Sequence, residues 1–121
     1  MIQKINLSEK FSSFSDQWSP KVIGEVNDAA VKLAKLEGAF DWHHHEHEDE
    51  LFLVVKGQLT IKLREQEDIT LSEGECVVIP RGLEHLPVAE QEAHVLLFEP
   101  KTTLNTGNTE SERTVKELEH I

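Results

Sequence analysis

The chain has 121 residues, of which 38% are hydrophobic and 29% are charged, and its formal net charge is −11. This length suffices for one compact domain, and no apolar run approaches the roughly 18 residues that a membrane-spanning helix needs. The negative charge repels phosphate backbones and anionic lipid surfaces, so we expect neither nucleic acid nor a membrane as a partner. The one cysteine, Cys76, excludes an intramolecular disulfide. It fits a reducing compartment, and the N-terminus shows no secretory signal pattern, so we expect a cytoplasmic protein.

The N-terminal stretch NLSEKFSSFSDQWSP predicts a short helical segment. Asn6 or Ser8 is a candidate N-cap, Phe11 and Phe14 are three residues apart, and Pro20 is the predicted end of the segment. Short β-strands are predicted next, separated by glycine and proline. Their sequences are KVIGEV, AVKLAKLEGAF, ELFLVVKGQLTIKL, DITL, ECVVIP and AHVLLFEP.

Period-two alternation is clearest in the third of these stretches. Leu59, Ile61 and Leu63 are apolar and the residues between them are polar, which predicts a strand with one wet face. The dipeptide Lys56-Gly57 interrupts the stretch and predicts a hairpin. Six to nine short strands at roughly ten-residue spacing indicate an all-β sandwich or barrel.

Two further predictions concern packing. Cys76 lies in an apolar strand, where we expect a small core residue rather than a nucleophile. The tail from Lys101 is polar, and its last part, SERTVKELEHI, predicts one short helix or a mobile segment.

The stretch FDWHHHEHEDELF, residues 40–52, holds four of the seven histidines. On a strand, residues two apart point to the same side, so His43 and His45 could form a pair of metal ligands, as could His45 and His47. Glu50 and His85 are candidate partners. Imidazole and carboxylate together suit first-row transition metals. The alternative is a loose surface tract without a designed site, and local composition does not decide between the two.

The spacing of the glycines, histidines and proline extends this pattern along the chain. It resembles the two motifs of the cupin family, G(X)5HXH(X)3,4E(X)6G and G(X)5PXG(X)2H(X)3N. Two departures occur: four residues rather than five precede the first histidine, and Ala89 stands in place of the final asparagine. The matching residues are Gly38, His43, His45, Glu50, Gly57, Gly74, Pro80, Gly82 and His85.

The resemblance implies an all-β double-stranded β-helix, a cupin or jelly-roll barrel, with a short N-terminal helical segment. It implies a single domain over residues 1–121, with a barrel core at about 22–100 and a polar tail at 101–121. Gly57 is expected in a tight turn and Gly74 in a second hairpin.

The metal site is also implied by the resemblance. One divalent transition metal per chain (Fe, Mn, Ni or Zn) is expected, held by His43, His45, Glu50 and His85. Glu50 is in addition a candidate catalytic group. The neighbouring Phe52 and Val54 would share its inward face on the strand.

The other polar residues of these turns receive different predictions. His44 is expected outside the barrel, His47 exposed in a loop, and Trp42 packed on an outer or sheet–sheet face. The residues expected in turns or at the surface are Asp41, Asp49 and Arg81.

Cupins with three histidines and one glutamate include dioxygenases, decarboxylases and isomerases, so the resemblance favours a metal-dependent enzyme acting on a small molecule. A non-catalytic small-ligand or metal-binding sensor is the alternative. A third hypothesis is metal storage by the histidine tract, with His44 and His47 taking part. Small cupins commonly form homodimers by exchanging an N-terminal strand, here residues 20–27, and this also covers an exposed sheet edge.

Overall fold

The computed structural model describes residues 2–121, and strands dominate it. One six-residue helix lies in this part of the chain, which is too short to cross a membrane. The elements are α1 (Leu7–Ser12), β1 (Lys21–Val26), β2 (Ala29–Ala39), β3 (Glu50–Lys56), β4 (Leu59–Leu63), β5 (Ile69–Leu71), β6 (Cys76–Ile79), β7 (His85–Pro100) and β8 (Glu119–His120).

The long strand β7 organises the fold. One of its edges pairs with β2 along most of its length, and the other edge is shared between two strands. Its first residues pair with β4 and its last residues pair with β3. The sheet order is therefore β5-β4-β7-β2-β1-β8, with β3 and β6 branching from β7, and the sheet does not close within residues 2–121. This is the predicted jelly-roll arrangement of a cupin barrel.

The predicted hairpin at Lys56-Gly57 is wrong. In the described chain β3 pairs with β6 and β7, whereas β4 pairs with β5 and β7, so the two strands that flank Gly57 are not partners. Gly57 instead packs over the middle of β7, at a φ of 88°. A Cβ at this position would lie 3.2 Å from the Glu92 carbonyl oxygen and 3.3 Å from the Ala93 Cα, which explains why glycine occupies it.

The second predicted hairpin, at Gly74, is wrong for the same reason. Gly74 joins β5 to β6, and these strands pair with β4 and β3 respectively. The alternation of apolar residues identifies a strand, but it does not identify the neighbour with which that strand pairs.

The inner faces of the strands form the core. Leu59 and Ile61 are fully buried, as their alternation predicted, and Phe52 and Val54 face inward as expected. Cys76 is a correction because it is exposed. Its strand β6 pairs with β3 alone among the described strands, and the side of β6 that carries Cys76 and Val78 faces solvent.

The N-terminal helix begins as predicted. The Asn6 side chain accepts a hydrogen bond of 3.0 Å from the Glu9 backbone N–H. The predicted end at Pro20 is wrong, because the helix stops at Ser12. The Ser13 N–H and hydroxyl both donate to the Lys10 carbonyl and close the last turn.

The C-terminal segment does not form the predicted short helix. Its last residues form β8, which pairs in parallel with the start of β1. Residues 105–115, called the C-terminal strap below, form turns that lie across the loop after β2. Within this chain β1 thus has β2 on one side and β8 on part of the other, and strand exchange through residues 20–27 stays a prediction.

Candidate metal centre

One loop and the first residues of two strands bring four polar side chains together. His43 and His45 lie in the loop after β2, Glu50 is the first residue of β3, and His85 is the first residue of β7. The histidine pair was considered as part of a strand, but β2 ends at Ala39 and the pair lies beyond it. His43 and His85 nevertheless form an isolated antiparallel bridge, with backbone hydrogen bonds of 3.1 and 2.9 Å.

These four residues, called the His–Glu cluster below, are all buried. Each offers one ligand atom, and these atoms all lie within 4.8 Å of one another. Glu50 Oε1 lies 3.5 Å from His45 Nε2 and 3.4 Å from His85 Nε2. Four side chains in one small volume could hold a single metal ion.

Backbone carbonyls orient two of the rings. His43 Nδ1 lies 2.8 Å from the Asp41 carbonyl oxygen, and His85 Nδ1 lies 2.9 Å from the Leu83 carbonyl oxygen. A carbonyl accepts only, so each Nδ1 carries the proton and donates it. The Nε2 lone pairs are then free to bind a metal, as in protein sites where a backbone carbonyl fixes the tautomer of a ligand histidine.

The cluster fits a metal because its inward atoms have no other partner. His45 Nε2, Glu50 Oε1 and His85 Nε2 are buried without a hydrogen-bond partner among residues 2–121. A buried polar atom without a partner costs on the order of 1–3 kcal/mol. A cation between these atoms removes this cost, and imidazole with carboxylate is the donor set of divalent first-row metals.

Electrostatics keep two members of the cluster in their metal-binding forms. Burial, reinforced by the nearby His85, lowers the pKa of His43 to about 4, so its ring is neutral near pH 7. Burial alone would raise the pKa of Glu50, but His45 and His85 outweigh it and hold the pKa well below the ordinary range. Glu50 is therefore a carboxylate.

Neighbouring residues lie outside the cluster. His47 is 85% exposed, as predicted. His44 is 26% exposed, and its backbone is hydrogen-bonded to Asn108 of the strap. The Arg64 guanidinium lies over the Trp42 ring, with 4.1 Å between its carbon Cζ and the centre of the ring. Arg81 and Asp49 are exposed and lie close to each other, which agrees with the surface prediction.

The C-terminal strap holds the loop that carries His43 and His45. His44 N–H donates to Asn108 Oδ1 at 2.8 Å, and Asn108 N–H donates to the His44 carbonyl at 3.0 Å. Thr109 donates to the Trp42 carbonyl. Asp41, which is 30% exposed, accepts from the Ser111 hydroxyl at 2.9 Å. Sequence reasoning missed these contacts, since nothing in the polar tail indicates which loop it covers.

A cavity of about 40 Å³ adjoins the cluster and is lined by His43 and Glu50 at one end. Its volume limits the occupant to a small molecule. Sequence reasoning missed two charged residues in its wall, Lys32 and Glu99, each 3% exposed. Lys32 shares its strand face with Ala30, Ala34 and other apolar residues, so one lysine on an apolar face was the available signal.

Glu99 differs from Glu50 in its electrostatics. Burial and the negative charge of Glu50 raise the pKa of Glu99 well above its ordinary value, and Lys32 opposes this shift only in part. The two carboxyl groups therefore have opposite tendencies within one cavity.

Comparison with known proteins places the barrel in a family. A family profile described as Cupin domain matches residues 30–100. Uncharacterized protein YdbB of Bacillus subtilis (strain 168) is 40% identical over 79 residues, 65% of this chain and 64% of that protein. The match thus spans less than two thirds of that relative's length.

Solved structures share the fold. A cupin-2 domain containing protein from Shewanella frigidimarina NCIMB 400 is 49% identical, with 80% of this chain and 94% of that chain covered and a TM-score of 0.78. Hydroquinone 1,2-dioxygenase from Sphingomonas sp. TTNP3, with 4-hydroxybenzoate bound, is 20% identical over 81% of this chain and 74% of that chain, with a TM-score of 0.68. The second likeness concerns the fold alone.

Proposed function

The chain belongs to the cupin family, and on this premise we propose that it is a metal-dependent enzyme acting on a small molecule. The observation that carries the proposal is the His–Glu cluster, in which three imidazoles and one carboxylate converge with buried and unpartnered ligand atoms. His43, His45, Glu50 and His85 would hold one divalent ion of iron, manganese, nickel or zinc. A metal bound there would supply a Lewis acid, or a redox centre if it is iron or manganese.

The chain's own residues supply the rest of the site. Apolar side chains form most of the wall of the cavity beside the cluster, and Glu50 lines that cavity as a carboxylate able to accept a proton. The reaction types that suit such a site are oxygenation, decarboxylation and isomerisation. The apolar walls favour a partly apolar substrate over a phosphorylated sugar. The negative net charge favours the same choice.

The test is metal analysis of protein purified without an affinity tag. We expect about one equivalent of a transition metal in the native chain and nearly none in the double variant His43→Ala, His45→Ala. His47→Ala is the matched control, because this histidine belongs to the same stretch but is 85% exposed. It should keep the full metal content.

Three results would contradict the proposal. Metal retained by the double variant would place the ion elsewhere, and several weakly held ions lost on His47→Ala would indicate storage by the histidine tract. If the protein holds one ion and screens for oxygen uptake, decarboxylation and isomerisation find no turnover, a non-catalytic binding module replaces the enzyme.

A further inference from the structure

Lys32 and Glu99 are a charged pair inside the cavity that belongs to no metal-binding motif. They lie on the neighbouring strands β2 and β7, where Lys32 pairs with Leu97 and Ala30 pairs with Glu99. Both side chains therefore leave the sheet on the same face, toward the cavity that they line together with Glu50.

The pair is incompletely satisfied. Lys32 Nζ lies 3.6 Å from Glu99 Oε1, which is longer than a hydrogen bond. Glu99 Oε2 is buried and has no hydrogen-bond partner in the part of the chain that the structure describes. The adjacent Thr103 hydroxyl donates to the Pro100 carbonyl instead, at 2.7 Å. One acceptor and one ammonium thus face the cavity side by side.

Stability does not account for this arrangement. Replacing a buried ion pair by apolar residues of similar volume is often neutral or stabilising. The strands β2 and β7 are already joined by a long antiparallel ladder of backbone hydrogen bonds, so an ion pair is not needed to hold them together. A group that enters the cavity and bonds to both side chains would offset the cost of burying them.

The chemistry of the pair selects that group. A carboxylate or phosphate would meet the Glu99 and Glu50 carboxyl groups, and an ammonium would meet Lys32. A hydroxyl both accepts and donates, so it can accept from Lys32 Nζ and donate to Glu99 Oε2. Whether the Glu99 carboxyl is protonated or ionised, one of its oxygens can accept a hydrogen bond. Apart from His43 and Asn105, the remaining walls are largely apolar and suit a hydrocarbon body, with Ala34, Leu36, Phe40, Phe52 and Leu97 among them.

We propose that Lys32 and Glu99 form a hydroxyl-binding subsite, and that the substrate is a small, uncharged hydroxyl compound with an apolar body. This inference rests on the proposed function, because it names the substrate class of the same cavity. The hydroxyl would lie between Lys32 and Glu99, and the apolar body would lie against the apolar walls of the cavity.

The experiment compares ethanol with propane, which has the same number of non-hydrogen atoms but lacks the hydroxyl. Both are small enough for a cavity of about 40 Å³, since each water-sized group needs roughly 10–15 Å³. Binding is followed by NMR chemical-shift titration of the full chain, both metal-free and loaded with zinc. We expect the native protein to bind ethanol about tenfold more tightly than propane, as expected for hydrogen bonds to charged groups. The variant Lys32→Met, Glu99→Leu should bind both probes about equally, with unchanged zinc content.

Lys62→Met is the control, since Lys62 lies exposed on the wet face of β4, and it should keep the preference for ethanol. Equal binding of both probes by the native protein, or no saturable binding of ethanol, would overturn the subsite without any variant. A preference for ethanol that persists in the double variant would overturn it as well. Failure of zinc loading with the ethanol preference intact would overturn the metal-dependent function and leave the subsite standing.

Discussion

At the residue scale, the surroundings of each ring decide what the His–Glu cluster can bind. His43 donates its Nδ1 proton to the Asp41 carbonyl, and the burial that lowers its pKa keeps the other nitrogen free of a proton. Both effects come from residues outside the HXH pattern. The ring of His47 is 85% exposed and lacks this burial.

The pKa of His43 predicts a pH dependence of stability in metal-free protein. Burial and His85 lower this pKa to about 4, whereas the ordinary value is 6.5. Between these two values the unfolded chain takes up a proton that the folded chain refuses, so the free energy of unfolding falls as the pH decreases. From pH 7 to pH 5 we expect a loss of about 2 kcal/mol from this residue.

Urea unfolding of chelator-treated protein at the two pH values measures this loss. The His43→Gln variant has no titrating ring at this position, so its loss over the same interval should be smaller by about 2 kcal/mol. An equal loss in the native protein and the variant would show that His43 takes up its proton normally in the folded state.

At the element scale, the C-terminal strap and the loop after β2 act as one unit. The strap lies outside the residues that match the cupin profile, yet it hydrogen-bonds to the backbone on both sides of His43. Gly107 marks the closest approach. Its φ is 58°, and a Cβ there would clash with the His44 carbonyl oxygen and lie 3.0 Å from His43 Cδ2.

We therefore expect Gly107→Ala to weaken metal binding by about tenfold, because it displaces the loop that carries two ligands. Gly38→Ala is the matched control. Gly38 also has a positive φ, of 82°, but a Cβ there meets no atom of the described chain within 4 Å. It should cost about 1 kcal/mol of stability through backbone strain alone and leave zinc affinity unchanged. Competition titration with a zinc chelator measures both variants, and equal zinc affinities would refute the positioning role.

At the scale of the whole molecule, Lys21 joins both ends of the chain to the sheet. Its side chain is 1% exposed, and its ammonium lies 2.7 Å from Asp16 and 2.9 Å from Glu119. The C-terminus is also joined to β1 through its backbone, because β8 pairs with β1 and the Ile121 N–H donates to the Val22 carbonyl. The two acids are exposed and the lysine is buried, so the stability lost by removing the acids should differ from that lost by removing the lysine.

Removing the acids should therefore cost more than removing the lysine. In Lys21→Met the two carboxylates remain in water. In Asp16→Asn, Glu119→Gln the buried ammonium loses its counterions, and we expect the free energy of unfolding to fall by about 1–2 kcal/mol more. Denaturant unfolding at pH 7 compares the two variants. A larger loss in Lys21→Met would mean that packing of the lysine stem dominates.

Several features of the molecule follow from local sequence, because they depend on residues close together in the chain. Alternation in Leu59, Ile61 and Leu63 is a local property, and it correctly placed β4 and its buried face. The Asn6 cap depends on three residues, and it too was predictable. The four residues that the structure brings together, His43, His45, Glu50 and His85, were implied by the resemblance to the cupin motifs and not by local spacing.

The tertiary structure decided what depends on distant partners. The sequence around Gly57 suggests a hairpin, but the two strands that flank it pair with β7 and not with each other. The sequence around Cys76 suggests a core residue, but that face of β6 is exposed to solvent. Lys32 and Glu99 are far apart in sequence, and only the pairing of β2 with β7 places them in one cavity. Strand periodicity is a property of neighbouring residues, whereas pairing and the burial of charge arise from contacts between segments remote in the chain.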